Sequence, residues 1–288
     1  MATDTGSERT GEFAENLFQI TAAKSADIVC IDLSVPMSNE LPVSWPTLPA
    51  FHKSLLNWFE AYTEPSGTMV PSKGYFYDQA LSMDEHCGTH VDFPIHVLPP
   101  ARLQKLAGNP LQVSLKSFVG PCAMVDAREH LDQAAPGVSP RVRADTLERW
   151  EERNGQLRAD EIVLLDTGYT DRYFHAFPEG RRFLHQPVMD RTVPGWPVPD
   201  ESFFEHLRTR GVRHLGISSP SMGALDDGFG THLAGIQRGI IFTENLIRLS
   251  ALPARGAFYI GLPLSIADQS GSPVRAVALV SQEAASGE

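Results

Sequence analysis

The stretch His86-Cys87-Gly88-Thr89-His90-Val91-Asp92-Phe93-Pro94-Ile95-His96, HCGTHVDFPIH, holds three of the chain's ten histidines. Gly88 permits a sharp backbone bend. Beyond it Val91, Phe93, Ile95 and Val97 alternate with His90, Asp92, Pro94 and His96. A period of two predicts a strand whose apolar face packs on a core and whose other face presents imidazole, carboxylate and imidazole. His90 and Asp92 would stand about 6.6 Å apart along that strand, close enough for both side chains to converge on one ion. His86 returns to the same ion across the bend at Gly88. His96 would lie roughly 20 Å from His90 in a fully extended chain, so a turn is expected at Pro94, with His96 at the edge of the site and outside the ligand set.

A metal centre needs further ligands, and the stretch Gly230 to Leu246, GTHLAGIQRGIIFTENL, supplies two candidates. Thr231 reads as a helix cap, with His232 in the first turn, where the helix dipole favours the neutral imidazole that a metal requires. The helix climbs about 10 Å to Gly239 and the strand IIFT returns roughly 13 Å, which brings Glu244 level with His232.

The rest of the chain supports an α/β reading. IVCIDLSV (Ile28 to Val35), YFYDQALSM (Tyr75 to Met83), CAMVDA (Cys122 to Ala127), EIVLLDTG (Glu161 to Gly168), HLGISS (His214 to Ser219), AFYIGLPL and VRAVALV read as strands. RADTLERWEER (Arg143 to Arg153) and ESFFEHLRTRG (Glu201 to Gly211) read as helices, the second stopped by its glycine. These elements predict a flexible segment over 1–26 and one mixed α/β domain over 27–288. An aromatic, proline-rich insertion covers about 48–73 (Leu48 to Lys73), with a short helix expected over Phe51 to Tyr62. Its apolar side chains must cover something, and a lid or wall of the pocket at a dimer interface is the expectation.

A formal net charge of -11 and a pI near 5.4 argue against a nucleic-acid or anionic-membrane partner, since both would be repelled. No run is long and apolar enough to span a bilayer, and the acidic start has no signal-peptide pattern, so a cytoplasmic location is expected. Cys30, Cys87 and Cys122 are too dispersed for a disulfide framework or a zinc knuckle. His52, His130, His175, His185, His206 and His214 carry no ligand pattern and read as structural.

His86, Gly88, Thr89, His90, Asp92, Pro94 and His96 match in full the H-x-G-T-H-x-D-x-P-x-H signature of the cyclase-like metal-dependent hydrolases. This is the superfamily of bacterial kynurenine formamidase and isatin hydrolase. IDLSVPMSNELPVSWP, IVLLDTGY and GSPVRAVAL resemble that family's opening strand, central strand and ending. The resemblance implies a swivelling β/β/α fold, with a mixed sheet core and flanking helices, in a homodimer or higher homo-oligomer. It implies one or two divalent ions per chain, zinc or manganese. Carried over, His86, His90 and Asp92 resemble first-metal ligands, Asp92 and Glu244 resemble bridges, His232 resembles the second-metal ligand, His96 the proton donor and acceptor, and Trp45 a substrate-side residue.

The sequence also departs from the family. Ser218 stands where relatives often have aspartate, and both the 48–73 insertion and the proline-rich loop His185 to Pro199 should reshape the pocket. The expected partner is a small-molecule substrate, and the expected reaction is hydrolysis of an amide, imide or lactam C–N bond by a metal-activated water. A metal-dependent cyclase, dehydratase or lyase, and a non-catalytic metal-binding protein, remain open at this stage.

Overall fold

The structure is a computed structural model that describes residues 27–103, 113–159 and 161–282; the segment 1–26 lies outside the described residues. The strands that matter here are β1 (Ile28–Asp32), β2 (His52–Asn57), β3 (Asp78–Ser82), β4 (His90–Asp92), β5 (Val119–Asp126) and β6 (Ile162–Asp166). They are followed by β7 (His214–Ile217), β8 (Ile241–Glu244), β9 (Ala257–Ile260), β10 (Gly271–Pro273) and β11 (Val277–Ser281). All but β2 and β3 join one mixed sheet in the order β1-β11-β9-β5-β6-β7-β8-β4-β10. Its centre, β5 through β8, is parallel, and antiparallel pairs extend it at both ends.

The parallel centre follows from composition. Ile162 to Asp166 is buried at every position, the pattern of a strand covered on both faces. One face packs on the helices α1 (Ala144–Asn154), α2 (Glu201–Arg210) and α3 (Gly228–Ile236) through Leu147, Trp150, Phe203, Phe204, Leu207, Ile236 and Phe242. α2 begins where the Asp200 carboxylate accepts the Phe203 N–H at 3.0 Å, and it ends at Gly211, whose φ of 78° suits glycine. The other face holds a second core containing Leu33, Leu164, Leu246 and Tyr259.

The sheet curls. β8 and β9 are separated in strand order by three strands, yet the Tyr259 hydroxyl donates to Thr243 Oγ1 at 3.1 Å. The Thr243 hydroxyl lies 2.8 Å from His214 Nε2, and His214 Nδ1 lies 2.6 Å from the Ser117 carbonyl. A neutral imidazole that accepts from Thr243 and donates to Ser117 satisfies all of these groups. Ser218 donates to Asp166 Oδ1 at 3.0 Å, giving a hydroxyl partner to a buried carboxylate on the neighbouring strand.

Three local expectations are corrected. The short helix expected over Phe51 to Tyr62 is instead β2, paired antiparallel with β3, with a bulge between Leu55 and Asn57. Asn57 staples this hairpin: its amide donates to the Gly74 carbonyl at 3.0 Å, and its Oδ1 accepts the Lys73 N–H at 2.7 Å. Such cross-chain bonds compensate for a helical stripe that has no core to face. The strand expected from Tyr75 begins only at Asp78. The turn expected at Pro94 is present: the strand ends at Asp92 and Pro94 to His96 forms a 3-10 turn that proline starts and a ladder would reject. The cap of α3 is the Asp227 carboxylate, which accepts the Gly230 N–H at 3.2 Å, so Thr231 lies inside the helix and His232 sits one turn later than expected.

Candidate metal centre

Gly88 has a φ of +66°, a conformation open to glycine, and its carbonyl accepts the His90 Nδ1–H at 2.9 Å. That bond leaves His90 Nε2 as the lone-pair nitrogen, and it faces Glu244 Oε2 at 3.3 Å and Asp92 Oδ1 at 3.6 Å. The sheet explains the meeting: His90 lies directly opposite Glu244 in the β4–β8 ladder, and Asp92, two residues on, shares the same face. His86 Nδ1 lies 2.8 Å from Asp92 Oδ1. From α3, His232 Nε2 lies 3.0 Å from Asp92 Oδ2 and 3.2 Å from Glu244 Oε1. Each carboxylate therefore places one oxygen near His90 and the other near His232.

His90, Asp92, His232 and Glu244 are all buried. Burial alone disfavours charged imidazoles, yet the Glu244 and Asp92 carboxylates override it, raising His90 to about 9 and His232 to about 10. Asp92 is held well below its usual value: burial opposes ionisation, but hydrogen bonds from His232 and His86 outweigh it. The same carboxylates that favour positive charge on these imidazoles would favour a cation placed between them. Donor atoms of His90, Asp92 and Glu244 lie within 4.8 Å of one another, as do those of His86, Asp92 and His96. Nitrogen and oxygen donors at this spacing could hold a divalent metal ion.

The turn at Pro94 brings His96 much nearer than an extended strand would: its ring centroid is 4.0 Å from that of His86 and 5.5 Å from that of His232. His96 is open to solvent on its cavity side. Desolvation by the walls behind it, with His86 and His232 nearby, lowers its pKa to about 4, so it is a neutral base at physiological pH.

Several functional neighbours were missed by the sequence reading. Glu85 Oε2 accepts the Ser270 hydroxyl at 2.5 Å and the Ser270 N–H at 2.7 Å, and Ser270 Oγ lies 3.2 Å from His86 Nε2. This chain fixes the His86 ring with Nδ1 toward Asp92. Gly271, opposite Asp92 in the β4–β10 pair, leaves the room that the His86 ring occupies; a side chain there would overlap it. Asn245, at φ +60°, donates from Nδ2 to the Gly88 carbonyl at 2.9 Å and so ties the bend to the end of β8. The acidic residue just before His86 and the GSP run near the end were visible signals, but nothing local joins them.

The centre opens into a cavity of about 440 Å³ lined by His86, His90, His96, His232 and Glu244 and by apolar walls that include Trp45 and Trp196. Trp45 meets Trp196 edge to face at 5.9 Å. The loop His185 to Pro199 supplies Val188, Arg191 and Trp196, and of the 48–73 insertion only Leu48 reaches the lining. Trp58 and Phe59 of the insertion join Tyr75 and Tyr77, which follow it, in an exposed aromatic cluster at the end of the β2–β3 ladder.

Fold and site together define an α/β protein with a buried imidazole–carboxylate centre at one end of a curled mixed sheet. A family model, Cyclase, matches residues 31–224, and the chain belongs to this family. It is 28% identical over 205 residues to the isatin hydrolase of Roseibium aggregatum, covering 69% of this chain and 73% of that one. It is 26% identical over 248 residues to the kynurenine formamidase of Bacillus cereus, covering 86% and 95%. Among solved structures, isatin hydrolase A from Labrenzia aggregata, bound to benzyl benzoate, superposes with a TM-score of 0.71 at 23% identity, covering 92% of this chain and 99% of that one. Isatin hydrolase A from Ralstonia solanacearum gives 0.69 at 24% identity, covering 97% and 100%. These structures share the fold.

Proposed function

We propose that this protein is a divalent-metal-dependent hydrolase of an amide, imide or lactam C–N bond in a small molecule. The observation that carries the reading is the convergence of His86, His90, Asp92, His232 and Glu244 at the wall of a cavity that also receives His96. The relatives named isatin hydrolase and kynurenine formamidase support the same bond class. Bound there, a divalent ion supplies Lewis acidity, acidifying a water toward neutral pH and polarising a carbonyl.

The chain's own residues do the rest. His86, His90 and His232 would hold a bound ion through ring nitrogens, and Asp92 and Glu244 would each offer one oxygen on the His90 side and one on the His232 side. His96 takes a proton from the attacking water and delivers it to the leaving nitrogen, the work of a group that is neutral and open to the cavity. Trp45 and Trp196 wall an aromatic slot, which favours a flat substrate body. The exposed aromatic tip of the hairpin supports assembly into a homodimer.

The test is acid release from formanilide and from isatin by protein loaded with zinc or manganese. Turnover that chelation abolishes and metal restores is expected. Full metal content with no acid released from either compound would overturn the reading.

A further inference from the structure

We propose that Arg191 determines specificity in this cavity by selecting substrates whose apolar body carries a carboxylate away from the scissile bond. This deepens the hydrolase reading, on which the identity of that bond rests. Arg191 is the one lysine or arginine in the lining, and the wall around it is largely apolar, with Val188, Leu184, Leu225 and Trp196. Among the described residues its guanidinium enters no hydrogen bond or ion pair. The nearest acid in sequence, Asp190, is already engaged, with Oδ2 3.3 Å from both Arg181 and His185 Nδ1.

The backbone fixes where this cation stands. Arg191 ends the turn Gln186–Asp190 in the left-handed region, at φ 52° and ψ 33°, and its N–H donates to the Gln186 carbonyl. Glycine or asparagine adopts that conformation at lower cost. The unpaired guanidinium sits there in a chain of net charge -11, whose field otherwise repels anions. Its fork of donors matches the two oxygens of a carboxylate, and its exposed side chain is accessible to a ligand entering the cavity. The imidazole–carboxylate centre lines the same cavity and would receive the scissile carbonyl, so the cavity offers separate partners to two different groups of one molecule.

Binding to non-hydrolysable ketones tests this. Calorimetry compares 4-acetylbenzoate with its neutral isostere 4-nitroacetophenone, which has no C–N acyl bond, on the metal-loaded protein. A charge-assisted contact predicts a preference of about 10- to 100-fold for the carboxylate. Rising salt should shrink it. Arg191→Gln should bring the affinity ratio toward one, and Arg191→Lys should keep part of it. Equal affinities in the unaltered protein, or no detectable binding of the carboxylate, would overturn the proposal without recourse to any variant. So would a preference that survives Arg191→Gln but vanishes on chelation, since the carboxylate would then be held by the ion. Because neither ketone is turned over, failure to hydrolyse formanilide or isatin would refute the hydrolase reading and leave this comparison intact.

Discussion

Asp92 and His232 stand 140 positions apart and meet with Oδ2 and Nε2 at 3.0 Å, joining strand β4 to helix α3 across the centre. Asp92 also faces His86 and His90, so it is the one carboxylate that touches all three ligand-bearing segments outside β8. Asp92→Ala is expected to cost at least one divalent ion per chain while the fold persists, because Val91 on the opposite strand face stays buried in its own cluster. Elemental analysis of the purified variant checks this; undiminished metal would remove Asp92 from the ligand set.

His96→Ala should separate proton transfer from metal holding. Turnover is expected to fall about 10²- to 10⁴-fold, the usual worth of a positioned acid–base group. Metal content should hold. Since His96 lies within ligand distance of His86 and Asp92, loss of an ion in this variant would make it a ligand instead.

Gly235 faces the sheet at the point where α3 crosses it. An added methyl would stand 2.5 Å from Phe242 Cζ and 2.8 Å from Phe204 Cε1. Alanine improves helix propensity, but rings packed on both sides leave it no room. Gly235→Ala should lower stability by about 1–3 kcal/mol, as overpacked cores do. Because α3 carries His232, metal affinity should weaken in step. Denaturant melts with and without metal check both; a variant as stable as the parent would show that the helix shifts freely.

His214 links stability to pH. Burial holds its pKa at about 4, below the ordinary 6.5, so the folded protein keeps it neutral while the unfolded chain takes up a proton. Its contribution is fully present above about pH 6.5 and is lost as pH falls toward 4, a change of about 3 kcal/mol at most. His214→Gln should flatten that part of the profile and cost about 1–3 kcal/mol at neutral pH through the Ser117 and Thr243 partners it leaves. Urea melts from pH 7 to 4 measure the difference; parallel profiles for both proteins would relieve His214 of the role.

Much of the site was legible because its signals are short-range. The spacing of His86, His90 and Asp92 around Gly88 sets which face each side chain takes, and the apolar run Ile162 to Asp166 announces a buried strand from composition alone. The same local logic failed over Phe51 to Tyr62, where apolar residues at helical spacing form a hairpin instead. There Asn57 and the partner strand β3, more than twenty residues away, outweigh propensity.

By itself, then, the sequence determined the candidate donors, their order and the bend at Pro94, since these follow from side-chain chemistry and from backbone limits acting over a few residues. Only the tertiary structure decided that His232 reaches Asp92, that Glu85 and Ser270 steady His86, and that Arg191 shares a cavity with His96. Those meetings depend on how β4 enters between β8 and β10 and how the sheet curls, and the free energy of that closure is spread over the whole core, where no local period records it.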